Sequence, residues 1–213
     1  MNAPLTDEQI TELKATGRVA TTQKQRDESF RGWYPLHAAE YALQYYVTGR
    51  YAVAAQFSPI SASLLHHAVE LLLKACLSRG DSADVIRQYG SRNRGYGHRL
   101  ATLWTEFTRR NPDVGMGQYA TVIEALDHFE DIRYPETLVQ DGGMITIGMY
   151  EVEPPVGTPQ NDRTYMLMLP QIDRLVAQLF QATGLNHEAF RQMLQREHAN
   201  TYLFLLNATP ILR

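Results

Sequence analysis

Seven histidines and 17 arginines in a 213-residue chain are the first candidates for chemistry. Imidazole gives and takes protons near neutral pH. Guanidinium holds phosphate oxygens and stabilises charge developing on them. Together they suffice, in principle, to cleave a phosphodiester without a metal. An arginine followed six or seven positions later by a histidine occurs at Arg31/His37, Arg92/His98 and Arg191/His198. With seven histidines, three allowed offsets and 17 arginines among 213 residues, about two such matches arise by chance. The pattern therefore selects nothing by itself. Arg92 and His98 sit in and after the glycine-rich stretch Gly90–Gly97. If that loop folds back, Arg92 or Arg94 reaches the imidazole, and His98 with Arg92 becomes the candidate catalytic pair. The plainer alternative is that His98 caps its helix or bonds a carbonyl, with both arginines solvated.

Residues 87–110 hold Arg87, Arg92, Arg94, Arg99, Arg109 and Arg110 against one acid, Glu106. Such a segment can bind phosphate, nucleotide or RNA backbone, or simply form a solvated face. A second set is His67, Glu70 and Lys74, at i, i+3 and i+7 on one helical face. Glu70 and Lys74 are also a favourable i,i+4 ion pair. Apolar neighbours on both sides predict that this strip is partly buried, and buried charges need partners. His98 and Arg133 are the expected ones. The strip is then either a structural polar network or the wall of an anion pocket, with Arg94, Arg133 and Tyr134 as further ligand contacts. A metal reading is weaker. His37–Glu40, His67–Glu70 and Glu124–His128 pair imidazole with carboxylate one turn apart, but the Glu-x-x-His order of carboxylate-bridged di-iron bundles is missing. A metal-dependent bundle enzyme would draw its ligands from His67, Glu70, Glu124 and His128. No metal and no cofactor is expected: the chain has no phosphate-cradling glycine loop, Gly-x-Ser-x-Gly elbow or Cys-x-x-Cys pair.

Helices must position these residues. Thr6 to Gln9 reads as a capping box that starts a short helix, which Gly17 stops. Residues 18–31 are polar and predict a loop or mobile arm. Pro35 suits a first helical turn, after which Ala38, Tyr41, Ala42, Tyr45, Tyr46 and Ala52 form a helical stripe that Gly49 bends or ends. Ser58-Pro59 opens a helix whose apolar positions are Ile60, Leu64, Leu65, Ala68, Leu71, Leu72 and Ala75, a stripe wide enough for burial on most of its circumference, with Cys76 a core thiol. Shorter helices follow at about 82–89, 98–110 and 118–132. Residues 136–158 break the rhythm as an insertion, and its part near 141–153 predicts a β-hairpin or extended flap. A helix over about 162–183, kinked or split at Pro170, and a last one over about 186–206 complete the chain. The expected fold is all-α, an up-and-down bundle of four to five long helices. The expected division is an arm over 1–31 and one domain over 32–213.

Three pieces of this pattern resemble the HEPN family, named for proteins of higher eukaryotes and prokaryotes. They are the small-and-aromatic helix Ala38–Ala55 with Gly49-Arg50-Tyr51-Ala52, the run His67-Ala68-Val69-Glu70-Leu71-Leu72-Leu73-Lys74-Ala75, and Gly97-His98-Arg99-Leu100 followed by Ile132-Arg133-Tyr134-Pro135. They cover about residues 35–135 in the family's order. The resemblance implies a helical bundle, often a homodimer, in a toxin–antitoxin, defence or nucleotidyltransferase-partner setting. Some members are metal-independent ribonucleases with an Arg-x(4–6)-His motif opening a late core helix. No histidine follows Arg133 at that spacing. The resemblance thus points first to a non-catalytic protein that binds RNA, nucleotide or a nucleotidyltransferase. A ribonuclease using His98 with Arg92 or Arg94 is the alternative.

Composition sets the remaining bounds. A chain this long can bury about 70% of its extended surface, so no disulfide or metal staple is needed. A net charge of −3 and a pI near 6.2 exclude a protein built mainly to coat nucleic acid. The single cysteine fits a reducing compartment. The first thirty residues lack an apolar run, and Leu64–Leu77 is broken by His66, His67, Glu70 and Lys74. A cytoplasmic protein without a membrane partner is expected.

Overall fold

The computed structural model describes residues 22–89, 98–112, 115–131, 136, 139–140, 144–148 and 164–185. The long elements are α1 (Gln23–Ala54), α2 (Ser58–Ser78), α3 (Ala83–Tyr89), α4 (Leu100–Arg110), α5 (Ala120–Asp131), β1 (Met144–Gly148), β2 (Thr164–Met168) and α6 (Leu169–Ala182), with a 3-10 turn at Met116–Tyr119. α2 is the hub: it packs against α1, α4, α5 and α6. Its length and hydropathy would also suit a membrane span, but two thirds of that stretch is buried in the bundle. Burial of His66, Glu70 and Lys74 among its apolar residues marks it as the core helix.

α1 begins well before Pro35. Thr22 accepts the Gln25 backbone N–H at 3.2 Å, and Gln25 Oε1 accepts the Thr22 backbone N–H at 3.1 Å. This reciprocal box satisfies N-terminal donors that are otherwise orphaned. The expected polar arm over residues 23–31 is therefore helix, and Pro35 lies inside it. Proline removes one rung of the ladder. Burial of Ala38, Ala39, Ala42 and Leu43 just beyond it holds the helix to the core. Gly49 does not end the helix either. A Cβ there would meet the Leu65 side chain at 3.1 Å and the Leu64 Cβ at 3.3 Å, so glycine lets α1 and α2 approach closely. Of the stripe read from sequence, Ala38, Ala42, Tyr46 and Ala52 face inward, whereas Tyr41 and Tyr45 are exposed.

The predicted hairpin is a parallel pair. β1 runs beside β2 in register from Met144↔Thr164 to Gly148↔Met168. Parallel strands need a crossover rather than a tight turn, so the partner comes from beyond the predicted flap. Residues 164–168, expected as helix, supply it. Thr-Tyr-Met-Leu-Met buries Leu167 and sets Tyr165 edge-on to Phe129 of α5 at 5.8 Å. Helix starts only at Leu169, with Pro170 in its first turn, where a missing N–H costs nothing. The predicted helices at 7–16 and 186–206 lie outside the described residues.

Candidate functional site

The site is built on one carboxylate. Glu70 sits on α2 with 2% of its surface exposed. Three nitrogen donors from two elements converge on it. Lys74 Nζ, one turn on, lies 2.5 Å from Oε1. His67 Nδ1, one turn back, lies 3.1 Å from Oε2. His98 Nδ1, from the segment that leads into α4, lies 3.0 and 3.2 Å from the two oxygens. Burial alone would raise the pKa of Glu70. Hydrogen bonds from His67, Lys74 and His98 and the Lys74 charge overcome that and hold it at about 2. Nearby Tyr34 is pushed up to about 12, by burial and by the Glu70 charge.

Two further groups fix the segment that carries His98. His66, fully buried, faces the Leu126 carbonyl with Nδ1 at 3.0 Å and the His98 carbonyl with Nε2 at 3.1 Å. Asp127 Oδ1 accepts the Leu100 backbone N–H at 2.8 Å, which caps α4 from α5. His98 is thus held to α2 by its side chain and its carbonyl, and Leu100, two residues on, ties the segment to α5. Its ring stands 6.1 Å from that of His67, edge to face.

The outcome is a dyad with direction. Both Nδ1 atoms face Glu70, which turns each Nε2 away from it. Among the described residues, neither Nε2 has a hydrogen-bond partner. The His67 side chain is 25% exposed and that of His98 43%. A carboxylate that orients an imidazole through Nδ1 leaves Nε2 for proton transfer or for an anion. Here one carboxylate orients two.

His66, His67 and Glu70 each offer one ligand atom, all within 4.8 Å of one another. These donors suit a cation badly. The Lys74 ammonium already occupies Glu70 Oε1, and both His66 nitrogens face carbonyl oxygens. Glu124 and His128, the other ligands of the metal reading, make no contact with Glu70. With Trp104 and Asp127 they line a separate groove of about 370 Å³ between α4 and α5.

Of the residues singled out in the sequence, His67, Glu70, Lys74 and His98 come together. Arg92, Arg94, Arg133 and Tyr134 lie outside the described residues. Three described arginines of the basic segment are neutralised: Arg87 pairs with Asp27 and Asp84, Arg109 with Glu106, and Arg110 with Glu106 and Asp81. Among its described members, Arg99 at the start of α4 has no acidic partner and is exposed. His66 and Asp127 were missed. The row His66–Glu70–Lys74, spaced four residues apart, was a readable signal for the first. Nothing in sequence could bring Asp127 to the α4 N-terminus.

The fold and this dyad define a mostly helical protein with a small parallel sheet and a carboxylate-anchored histidine pair. No protein-family model, curated protein or solved structure matches the chain.

Proposed function

We propose that the His67–Glu70–His98 cluster is the binding site for a phosphate-bearing ligand, RNA or nucleotide, in a HEPN-like helical bundle. The observation that carries this reading is the pair of outward-turned Nε2 atoms, without a hydrogen-bond partner among the described residues, beside a carboxylate–ammonium pair whose charges cancel. A protonated imidazole added to a neutral pair makes the site net positive toward solvent, and Arg99 adds a cation nearby. The resemblance over residues 35–135 adds a homodimer and a nucleotidyltransferase-type partner in a defence or toxin–antitoxin setting.

A second reading follows from there being two oriented imidazoles rather than one. One can take the proton of an attacking ribose hydroxyl while the other gives a proton to the departing oxygen. That is metal-free ribonuclease chemistry using His98 with His67, in place of His98 with Arg92. One experiment separates these readings. End-labelled structured RNA is incubated in EDTA with wild type, His67→Ala and His98→Ala, and binding is followed by fluorescence anisotropy in parallel. Binding without cleavage, weakened in both variants, supports the binding protein. Cleavage that falls about 100-fold or more in each variant supports the nuclease. No binding and no cleavage by wild type, with the fold intact by circular dichroism, overturns both. Metal analysis of untagged protein completes the test: stoichiometric zinc, iron or manganese would overturn the metal-free site.

A further inference from the structure

α1 carries Trp33, His37, Tyr41 and Tyr45 at strict four-residue spacing. Residues so spaced are neighbours on a helix surface. Trp33 and His37 stack with ring centres 5.6 Å apart. Tyr41 is 55% exposed and Tyr45 39%. At its far end the row meets the site: the Tyr45 ring stands 5.4 Å from that of His67. The other exposed residues between Trp33 and Thr48 are His37, Gln44 and Thr48, so this face offers rings and hydrogen-bonding groups but no exposed aliphatic side chain.

We propose that Tyr45 and Tyr41 form a stacking platform for unpaired bases beside the histidine pair, so that the ligand of this site is single-stranded RNA rather than duplex. The inference rests on the phosphate-binding reading above and specifies its substrate. Exposed rings take up bases because every base has a π-face, whereas a base paired inside a duplex cannot present it. With its phosphate at His67 and His98, a nucleotide has its base within reach of Tyr45, and the next base lies toward Tyr41. An exposed aromatic face could also seat protein. The apolar residues suited to that, Phe57 and Ile60, lie at the turn into α2.

The test is anisotropy with a fluorescein-labelled 12-nucleotide RNA, single-stranded and annealed to its complement. It compares wild type, Tyr41→Ala/Tyr45→Ala, Tyr41→Phe/Tyr45→Phe and His67→Ala/His98→Ala. Wild type is expected to prefer the single strand. The double alanine variant should bind it about tenfold or more weakly, the phenylalanine variant should retain it, and duplex affinity should change in neither. Single-strand affinity unchanged in the alanine variant, but weakened in the histidine variant, overturns the platform and leaves the phosphate site standing. Equal affinity of wild type for single strand and duplex also overturns the platform. No RNA binding by wild type overturns the phosphate site and the platform with it. A dimer in wild type that becomes a monomer in the alanine variant, by light scattering, overturns the proposal by assigning the row to a subunit interface. Both tyrosines are exposed, so an unchanged melting temperature will show that the variants fold.

Discussion

Two buried carboxylates tie this bundle together, and they behave in opposite ways. Asp173 of α6 is 6% exposed; it accepts a hydrogen bond from Tyr46 Oη at 2.6 Å and pairs with Arg50 Nη1 at 3.2 Å, both from α1. Glu70 is 2% exposed and takes His67, Lys74 and His98. Burial raises the pKa of Asp173, and Arg50 and Tyr46 offset that only in part. In Glu70 the donors win, and the pKa falls to about 2. The surroundings of the donors differ too. Arg50 and Tyr46 are themselves buried, at 3% and 1% exposure, so that network is sealed. His67 and His98 are half-exposed, so charge at Glu70 is relayed to the surface. A buried ion pair is by itself weak evidence for function. The one whose partners reach solvent is the candidate site, and the sealed one clamps α1 to α6.

The largest effect expected is loss of fold stability in Glu70→Ala. It leaves the buried Lys74 ammonium without its carboxylate and should cost about 3–5 kcal/mol in urea unfolding. Asp173→Ala should also destabilise, but only Glu70→Ala should change RNA binding at a protein concentration where both are folded. Equal effects on binding would break the distinction.

Acid sharpens it further, because the signs are opposed. The folded pKa of Glu70 lies below its ordinary 4.5, so its contribution is complete above that value and is lost as pH falls toward 2. A shift of that size is on the order of 3 kcal/mol. The folded pKa of Asp173 lies above its ordinary 3.8, so its contribution is present at low pH and is lost as pH rises through the folded pKa. Glu70→Gln should therefore flatten the loss of stability as pH falls from 4.5 to 2, whereas Asp173→Asn should remove a loss of stability that sets in as pH rises above 3.8. Urea midpoints from pH 2 to neutral check both. A parallel response of the two variants would contradict the assigned directions.

Tyr46→Phe is a smaller probe of the sealed side. It removes one hydrogen bond to Asp173 and keeps the ring volume, for an expected cost of about 2 kcal/mol. RNA binding should not move, because the ring that borders the site belongs to the exposed Tyr45, whereas Tyr46 is buried.

Much of this was legible in the sequence, and the gaps have physical reasons. Apolar periodicity located α2, α4 and α5, because burying a stripe of a helix leaves a 3.6-residue repeat. His67, Glu70 and Lys74 were readable as one face, and buried charge implied a partner such as His98. The parallel pairing of β1 and β2 was not legible, since local pattern specifies a strand but not its distant partner. Tyr41 and Tyr45 fell in one stripe with Ala38, Ala42 and Tyr46, because an aromatic residue has the same spacing whether it faces protein or solvent. Asp173 is one of several polar residues of α6 and nothing local marks it as buried; its partners Tyr46 and Arg50 lie more than 120 residues earlier.

The start of α1 was misread for a different reason. Pro35 is a strong first-turn signal, and it outweighed Thr22-Gln23-Lys24-Gln25, a capping box thirteen residues upstream. Thr22→Ala tests which signal governs. If the box nucleates the helix, its loss should fray the first turns and cost about 1 kcal/mol. Trp33, His37, Tyr41 and Tyr45 lie beyond those turns, and Ala38, Ala39 and Ala42 anchor that stretch to α2, so the RNA affinity and the acid response of both carboxylates should stay as in wild type. Backbone hydrogen exchange resolves the effect along the helix. Faster exchange confined to residues 25–30 fits a frayed end. Faster exchange extending past Pro35 would mean that the aromatic face depends on the cap rather than on packing.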